Sequence, residues 1–329
     1  MARGEQLKAL IKSYAERDDV RFYRVALQLA AHEARVGHNR VATELRELID
    51  GVRARQGALK VRRDPIPISQ PRGELRGLLN VQFPDLHLND MVLPRQTQQS
   101  LRRLLKEHRQ ADKLARHNLH PRRKLLLLGP PGTGKSMTAR VLAGELHLPL
   151  FAVRFDALIT KFMGETAAKL RLIFDAMTQT RGLYLFDEFD AIGAQRATPN
   201  DIGEIRRVLN SFLQFLEEDE SQSLIVAATN HAEILDLALY RRFDDVIQYR
   251  LPSAELARLL LENRLTAFGQ KDLDWDHLAQ AAHGLSQGEI VRACEDAVKE
   301  MVLEDRNAVV IEDLERAFEA RRTHKIAKD

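Results

Sequence analysis

One segment constrains this sequence more than any other: a glycine-rich stretch that reads Gly129-Pro130-Pro131-Gly132-Thr133-Gly134-Lys135-Ser136. The apolar residues 125–128 before it are typical of a buried strand, and residues 137–147 after it are typical of a helix. The glycines allow the backbone to wrap around an anion with its N–H groups pointing inward, at the positive end of the helix dipole. The segment therefore predicts a phosphate-binding loop between a strand and a helix.

The two residues that close the loop predict which phosphate compound is bound. Lys135 supplies a positive charge for the β- and γ-phosphates of a nucleoside triphosphate, and the Ser136 hydroxyl is a ligand for Mg²⁺. A nucleoside triphosphate and Mg²⁺ are accordingly the expected cofactors. The residues predicted to contact the nucleotide are Gly129, Pro130, Pro131, Gly132, Thr133, Gly134, Lys135, Ser136 and Met137.

The pattern around the loop predicts an α/β fold. Short apolar runs alternate with helix-length segments over about 175 residues, which is typical of a parallel sheet with helices on both faces. Beyond Pro252 the apolar period is helical throughout, which predicts a helical subdomain over roughly 254–268, 274–283, 287–305 and 311–322. The five predicted strands are Lys124–Leu128, Pro149–Arg154, Gly182–Asp187, Ser223–Thr229 and Val246–Arg250.

The front of the chain has a different character. Three amphipathic patterns predict a small helical module over residues 1–55. Residues 56–73 are rich in Pro, Gly, Arg and Lys with little apolar periodicity, so they predict a linker. The predicted organisation is completed by an α/β nucleotide-binding domain over residues 74–252 and a helical lid over residues 253–329.

Composition limits the setting and the partners. No apolar run is long enough to cross a membrane, no apolar segment follows Met1 as a secretory signal would, and the single cysteine, Cys294, forms no intrachain disulfide, so we expect a cytoplasmic protein. The net charge of +3 is uneven: residues 95–124 hold 10 basic and 2 acidic side chains. This basic stretch indicates either a nucleic-acid or acidic partner or, as is more usual, solvated helix faces.

An acidic pair follows the third predicted strand. Asp187 and Glu188 come directly after an apolar run, 52 residues beyond Lys135. Asp187 is placed to hold Mg²⁺, and Glu188 to polarise an attacking water. A water attack on the triphosphate predicts a hydrolase rather than a kinase.

These motifs, with two more in the same order, resemble those of the AAA+ ATPases and, among them, of the AAA family proper, over about residues 75–322. Asn230 ends the fourth strand and is similar to the family's sensor asparagine, which orients the water and contacts the γ-phosphate. Arg241 and Arg242 follow in a segment similar to the family's arginine fingers. The resemblance implies a P-loop NTPase fold that binds and hydrolyses ATP and in which these three residues and Glu188 are catalytic.

The resemblance also implies an assembly. Arginine fingers in this family reach into the neighbouring subunit's site and neutralise transition-state charge there. We therefore expect a homo-oligomer, a hexameric ring. Because Arg241 and Arg242 are adjacent here, the sequence leaves open which is the principal finger. The segment 284–290 resembles the family's stretch near the adenine, with Gln287 in place of a glycine and with Ser286 and Glu289 also forming a capping-box pattern.

A further segment indicates what such a ring acts on. Lys161, Phe162 and Met163 follow the second strand, where translocases of this family place an aromatic loop in the central pore. A ring of aromatic side chains grips an extended polypeptide without reading its sequence. The alternative is that Phe162 belongs to the core face of a helix with Leu158 and Ile159.

Three hypotheses for function follow. The first is an ATP-driven remodeller, unfoldase or threading motor for a polypeptide client, and the chain is similar to bacterial single-ring ATPases paired with a separate subtilisin-like protease. The second is an ATPase acting on nucleic acid, which is less favoured because aromatic and basic residues do not interleave in a binding module. The third is an ATP-controlled switch or scaffold in a bacterial defence system. The sequence holds no protease motif, so any proteolysis belongs to a partner.

Overall fold

The computed structural model describes residues 71–158, 163–188, 199–231, 240–266, 268 and 273–326. The predicted N-terminal module (residues 1–55), most of the predicted linker, and Lys161 and Phe162 of the predicted pore loop lie outside the described residues. Met163 and Gly164 are described as backbone only.

A six-stranded sheet forms the centre of the α/β domain, in the order β1-β3-β4-β5-β2-β6. The five predicted strands are confirmed and run parallel. β1 is an additional edge strand, antiparallel to β3, with Leu79 opposite Val153 and Gln82 opposite Leu150. The strands are β1 (Leu79–Gln82), β2 (Lys124–Leu128), β3 (Leu150–Val153), β4 (Leu183–Phe186), β5 (Leu224–Thr229) and β6 (Asp245–Gln248).

Helices connect the strands, as parallel pairing requires. None of the described helices is long and apolar enough to cross a membrane. In the α/β domain they are α1 (Leu75–Leu78), α2 (Arg95–Arg109), α3 (Ala111–Ala115), α4 (Lys135–Glu145), α5 (Phe155–Leu158), α6 (Met163–Gln179) and α7 (Pro199–Glu218), with a short 3₁₀ turn at Leu88–Asp90.

Each face of the sheet carries its own hydrophobic core. Successive residues of β2 and β4 alternate between the two cores because strand side chains point to opposite faces. On one face, Phe186 of β4 packs against Phe174 of α6 and Phe212 of α7, with ring centroids 6.1 and 4.9 Å away. On the other face, α2 and α4 supply Leu104 and Leu142, both fully buried. Full burial of such a side chain stabilises the fold by about 2 kcal/mol.

A third core lies in the C-terminal helical region. Four helices close it: α8 (Ala254–Leu265), α9 (Trp275–Ala281), α10 (Gln287–Leu303) and α11 (Ile311–Ile326). Three of them begin at a polar N-cap residue whose side chain accepts from the first turn, namely Ser253, Asp274 and Ser286. The capping box predicted for Ser286 and Glu289 is present. The predicted C-terminal helical region is therefore confirmed as a set of four helices with its own core.

Four of the ten basic residues in the stretch 95–124 form ion pairs within the described part of the chain, and two of the four are half-buried. Arg122 pairs with Glu107 and with Asp245, and Arg123 pairs with Asp219. Burial alone would raise the pKa of Glu107, but the hydrogen bonds and the charge of Arg122 outweigh it and hold that pKa below its usual value. These arginines bring α2, β2 and β6 together, and they are not available to an external polyanion.

Candidate nucleotide-binding site

The predicted phosphate-binding loop follows β2 and leads into α4. Its conformation requires glycine at two positions. Gly129 has φ +143°, and a Cβ there would lie 2.3 Å from the backbone oxygen of Tyr249. Gly132 has φ +76°, and a Cβ there would lie 2.4 Å from Ser286 Oγ. Both the left-handed backbone and the close approach of neighbouring chain segments therefore exclude a side chain.

Lys135 is the first residue of α4, and its ammonium group lies inside the loop. Its Nζ donates to the carbonyl oxygens of Gly129 and Pro130 at 2.6 and 2.8 Å, and to Asn230 Oδ1 at 2.8 Å. The side chain is only 6% exposed. These three contacts hold the ammonium group inside the loop, where its positive charge faces the position of a bound phosphate.

Two oxygen ligands meet beside the lysine. Ser136 Oγ donates to Asp187 Oδ2 at 2.5 Å, joining the start of α4 to the residue that follows β4. Glu188 comes next and is exposed, with φ +53°. A glutamate in the left-handed region is uncommon and costs free energy, and such strain concentrates at functional sites.

The strand order explains why these side chains meet. β5 lies between β4 and β2 in the sheet, so the ends of the three strands carry Asp187, Asn230 and the phosphate-binding loop side by side. In parallel sheets, ligands bind beyond the carboxyl ends of the strands. The structure thus brings together Lys135, Ser136, Asp187, Glu188 and Asn230 from sequence positions up to 95 residues apart.

A cavity of about 370 Å³ extends from this cluster towards the lid. Its walls include the loop residues from Pro131 to Met137. Gly129 and Pro130 are not among the described lining residues, but their carbonyl oxygens accept hydrogen bonds from Lys135, which does line the cavity. The far end of the cavity is lined mainly by apolar side chains, with one aspartate, one arginine and one glutamine. These residues are Asp90, Met91, Val92, Leu93, Leu260, Arg264, Gln287 and Val291.

At the far end of the cavity, only the segment 284–290 was expected from the sequence, through the family resemblance, and the other lining residues were not predicted. This end is assembled from the segment before α2, from α8 and from α10, and its leucines and valines resemble ordinary core residues in sequence. α10 also docks on the loop directly, because the Gly288 N–H donates to the Gly132 carbonyl at 2.9 Å. The lid therefore forms part of the site's wall.

The two predicted fingers lie elsewhere. Neither Arg241 nor Arg242 is among the described residues that line the cavity. Arg242 is half-buried, and its Nε donates to Glu217 Oε1 of α7 at 2.7 Å. Arg241 is exposed and forms no ion pair within the described part of the chain.

The residues present suit a magnesium–triphosphate ligand. Inward-facing loop geometry and a buried ammonium match phosphate oxygens, and a serine hydroxyl beside a carboxylate is an oxygen donor set of the kind that Mg²⁺ takes. The apolar far end matches a flat heterocycle, with one amide oxygen, Gln287 Oε1, that has no hydrogen-bond partner among the described residues. The cavity therefore accommodates both halves of a nucleoside triphosphate.

A parallel sheet with a glycine-rich loop between strand and helix, and with an acidic residue at the end of a nearby strand, defines a P-loop nucleoside triphosphatase. Residues 125–251 match the family described as "ATPase family associated with various cellular activities (AAA)". The uncharacterized AAA family ATPase y4kL of Sinorhizobium fredii is 36% identical over 98% of this chain and 97% of its own length. The chain belongs to the AAA family of ATPases and is an ATP hydrolase.

Two further relatives match a smaller part. The ATP-dependent zinc metalloprotease FtsH of Mesoplasma florum is 33% identical over 59% of this chain and 31% of its own length. The proteasome-activating nucleotidase of Saccharolobus islandicus is 34% identical over 61% of this chain and 53% of its own length. The chain therefore spans about a third of the first protein and about half of the second.

Proposed function

We propose that this protein is a ring-forming ATPase that couples Mg²⁺-dependent ATP hydrolysis to the remodelling, unfolding or threading of a polypeptide client. One observation supports the assembly of the chain into a ring. The cavity of a single chain gathers the lysine, the metal ligands and Glu188, whereas Arg241 and Arg242 do not line it. In the proposed ring, the arginine that stabilises the transition state comes from a neighbouring subunit, and a hexamer supplies one to every site.

The residues of the site have distinct roles in this proposal. Bound Mg²⁺, held by Ser136 and Asp187, neutralises charge on the phosphates. Lys135 binds the β- and γ-phosphates, and Asn230 orients the attacking water and contacts the γ-phosphate. The Glu188 carboxylate accepts a hydrogen bond from that water and polarises it for in-line attack.

The names of the relatives that match part of this chain support a polypeptide as the proposed client. Two of its relatives are named as a protease and as a proteasome-activating nucleotidase. In the proposed ring, Lys161, Phe162 and Met163 form the pore loop that grips the client. This sequence has no H-E-x-x-H motif, so we assign any proteolysis to a separate protease partner.

Mixed rings test the shared site. Lys135→Ala subunits lack a phosphate-binding lysine, and Arg241→Ala/Arg242→Ala subunits lack fingers, so each preparation alone is expected to be inactive. Mixed, they create some interfaces with an intact lysine on one side and intact arginines on the other, and phosphate release should return. If mixtures of every ratio stay inactive although the subunits co-assemble, fingers do not act in trans.

A second experiment tests the client. Phe162→Ala should leave ATP hydrolysis within about twofold of wild type, since the proposal gives this residue no part in the chemistry, but should abolish unfolding of a captured client. The client is first identified by capture on the Glu188→Gln chain in ATP, with the same chain lacking nucleotide as control. Normal client processing by Phe162→Ala would reject the pore loop.

A further inference from the structure

The side-chain amide oxygen of Gln287 has an unusual environment. Oε1 is shielded from solvent and accepts no hydrogen bond from any residue in the described part of the chain. The amide nitrogen donates to the Arg250 carbonyl, with an N···O distance of 3.4 Å, and this contact distinguishes the nitrogen from the oxygen. Buried acceptors nearly always have a partner, because an unpaired one has lost its hydrogen bond to water without replacement. In this conformation of the side chain, the oxygen therefore lacks a donor within the described part of the chain.

The position of Gln287 indicates where a donor would come from. Gln287 is the first residue of α10 and lines the nucleotide cavity together with Gly288 and Val291. The backbone here is held against the phosphate-binding loop by the hydrogen bond from Gly288 to Gly132. The last torsion of a glutamine is soft, and a 3.4 Å contact restrains it weakly. The amide can turn towards a ligand in the cavity without movement of the helix.

The hydrogen-bonding groups of ATP limit which of its atoms could donate to Gln287 Oε1. Phosphate oxygens and the unprotonated ring nitrogens of adenine only accept hydrogen bonds. The donors of ATP at neutral pH are the adenine 6-amino group and the ribose hydroxyls, and all of them belong to the nucleoside half. We propose that Gln287 Oε1 accepts a hydrogen bond from one of these donors, which makes Gln287 a specificity-determining residue for the nucleotide. The glycine implied here by the family resemblance has no side chain to make this contact.

The inference rests only on the nucleotide-binding part of the proposed function. Binding is measured calorimetrically on the full chain carrying Glu188→Gln, so that ATP is not consumed. Four nucleotides separate the possible donors: ATP, purine riboside triphosphate without the 6-amino group, 2′-deoxy-ATP and 3′-deoxy-ATP. The analogue that lacks the partner of Gln287 should bind about tenfold more weakly than ATP, because a buried amide oxygen is then left unpaired.

A second substitution links that selectivity to the side chain. Gln287→Leu preserves size and removes the acceptor, so it should lose the preference for ATP over the discriminating analogue. Gln280→Leu is the matched control, since it makes the same change on an exposed lid residue outside the cavity wall. It should retain the preference.

Two results would overturn the inference: binding of all four nucleotides within about twofold by the chain with Gln287 intact, or an unchanged preference in Gln287→Leu. If Gln287→Leu fails to fold, as judged by circular dichroism, Gln287→Met and the selectivity of the intact residue give the same answer. Because neither client nor hydrolysis enters the measurement, failure of the client hypothesis would leave these results unaffected.

Discussion

The phenolic oxygen of Tyr249 lies 2.6 Å from the hydroxyl oxygen of Thr138, and both side chains are buried. Thr138 donates to the Gly134 carbonyl at 3.0 Å, so its oxygen accepts the hydrogen bond from Tyr249. The backbone of Tyr249 also lies so close to Gly129 that only glycine fits there. A residue just beyond β6 thus holds the phosphate-binding loop at its start and, through the first turn of α4, at its end.

Tyr249→Phe should weaken both stability and nucleotide binding. It removes the hydrogen bond to Thr138 and leaves the ring in place, so we expect a loss of about 1 kcal/mol in the free energy of unfolding and several-fold weaker ATP binding. Denaturant unfolding and calorimetry measure the two effects. Tyr184→Phe is the control, because that buried hydroxyl donates to Thr180 O at 3.0 Å in the core on the other face of the sheet. A similar loss of ATP affinity in both variants would contradict a specific role for Tyr249.

The same hydroxyl predicts an alkaline limit to stability. Burial raises the pKa of Tyr249 to about 12, although the hydrogen bond with Thr138 acts in the opposite direction. Below the ordinary tyrosine pKa of about 10, folded and unfolded chains both keep the proton. Between about pH 10 and 12 the unfolded chain releases it and the folded chain does not, so stability falls by about 1.4 kcal/mol per pH unit.

Tyr249→Phe isolates this contribution. The variant has no proton to release at position 249, so its stability should decline less steeply than that of wild type over the same range. Urea unfolding of both proteins at about pH 9 and 11 measures the difference. Equal declines would mean that Tyr249 ionises in the folded protein as readily as in the unfolded one.

The parts of the fold that could be predicted are those in which a local pattern carries the signal. Strands β2, β3, β4 and β5 lie inside the sheet and appear in sequence as apolar runs. β1 has the sequence Leu79-Asn80-Val81-Gln82, and only Leu79 is fully buried. A four-residue edge strand with polar residues at alternate positions has no such signal, and it exists because its backbone completes the pairing of β3.

The candidate site likewise has one part that a local sequence pattern predicts and one part that it does not. The phosphate end is encoded in contiguous residues, because a loop that surrounds phosphate needs glycines, a lysine and a hydroxyl at fixed spacing. The nucleoside end is formed by tertiary contacts between distant segments, including Val92, Leu260 and Val291. Apolar residues at helical spacing predict burial but not what they are buried against. Residue Gln287 was identified as a departure from the family pattern, yet its unpartnered oxygen is visible only in the structure.

Glu188 offers a test that separates backbone strain from catalysis. Its φ of +53° is unfavourable for any residue with a Cβ. Glu188→Gly should therefore raise the free energy of unfolding by about 1 kcal/mol relative to Glu188→Gln, which keeps the strain. Both variants should hydrolyse ATP at least about a hundredfold more slowly while still binding it, because neither can polarise the water. Thermal unfolding and phosphate release measure the two properties.

Two results would contradict these expectations for Glu188. Glu188→Gly less stable than Glu188→Gln would show that relief of the backbone strain at residue 188 is smaller than the entropy that glycine loses on folding. Substantial hydrolysis by Glu188→Gln would remove the carboxylate from its proposed role.

The environments of the two arginines assign them different roles in the proposed ring. Arg242 is held by Glu217 of its own subunit, whereas Arg241 is exposed and has no ion pair within the described residues. An arginine that breaks no existing contact is better suited to reach a neighbour's phosphate. We therefore expect Arg241→Ala to lower hydrolysis by about a thousandfold, the range for loss of an arginine finger, and Arg242→Ala to lower it by much less.

Glu217→Gln provides the matched test of that assignment. If Arg242 serves mainly to hold its segment on α7, weakening its ion pair should reproduce the modest effect of Arg242→Ala and leave the dependence on Arg241 unchanged. Steady-state phosphate release at saturating ATP, with assembly checked by sedimentation, compares the three variants. A larger loss in Arg242→Ala than in Arg241→Ala would reverse the assignment, and it would mean that the Glu217 ion pair opens when the neighbouring subunit docks.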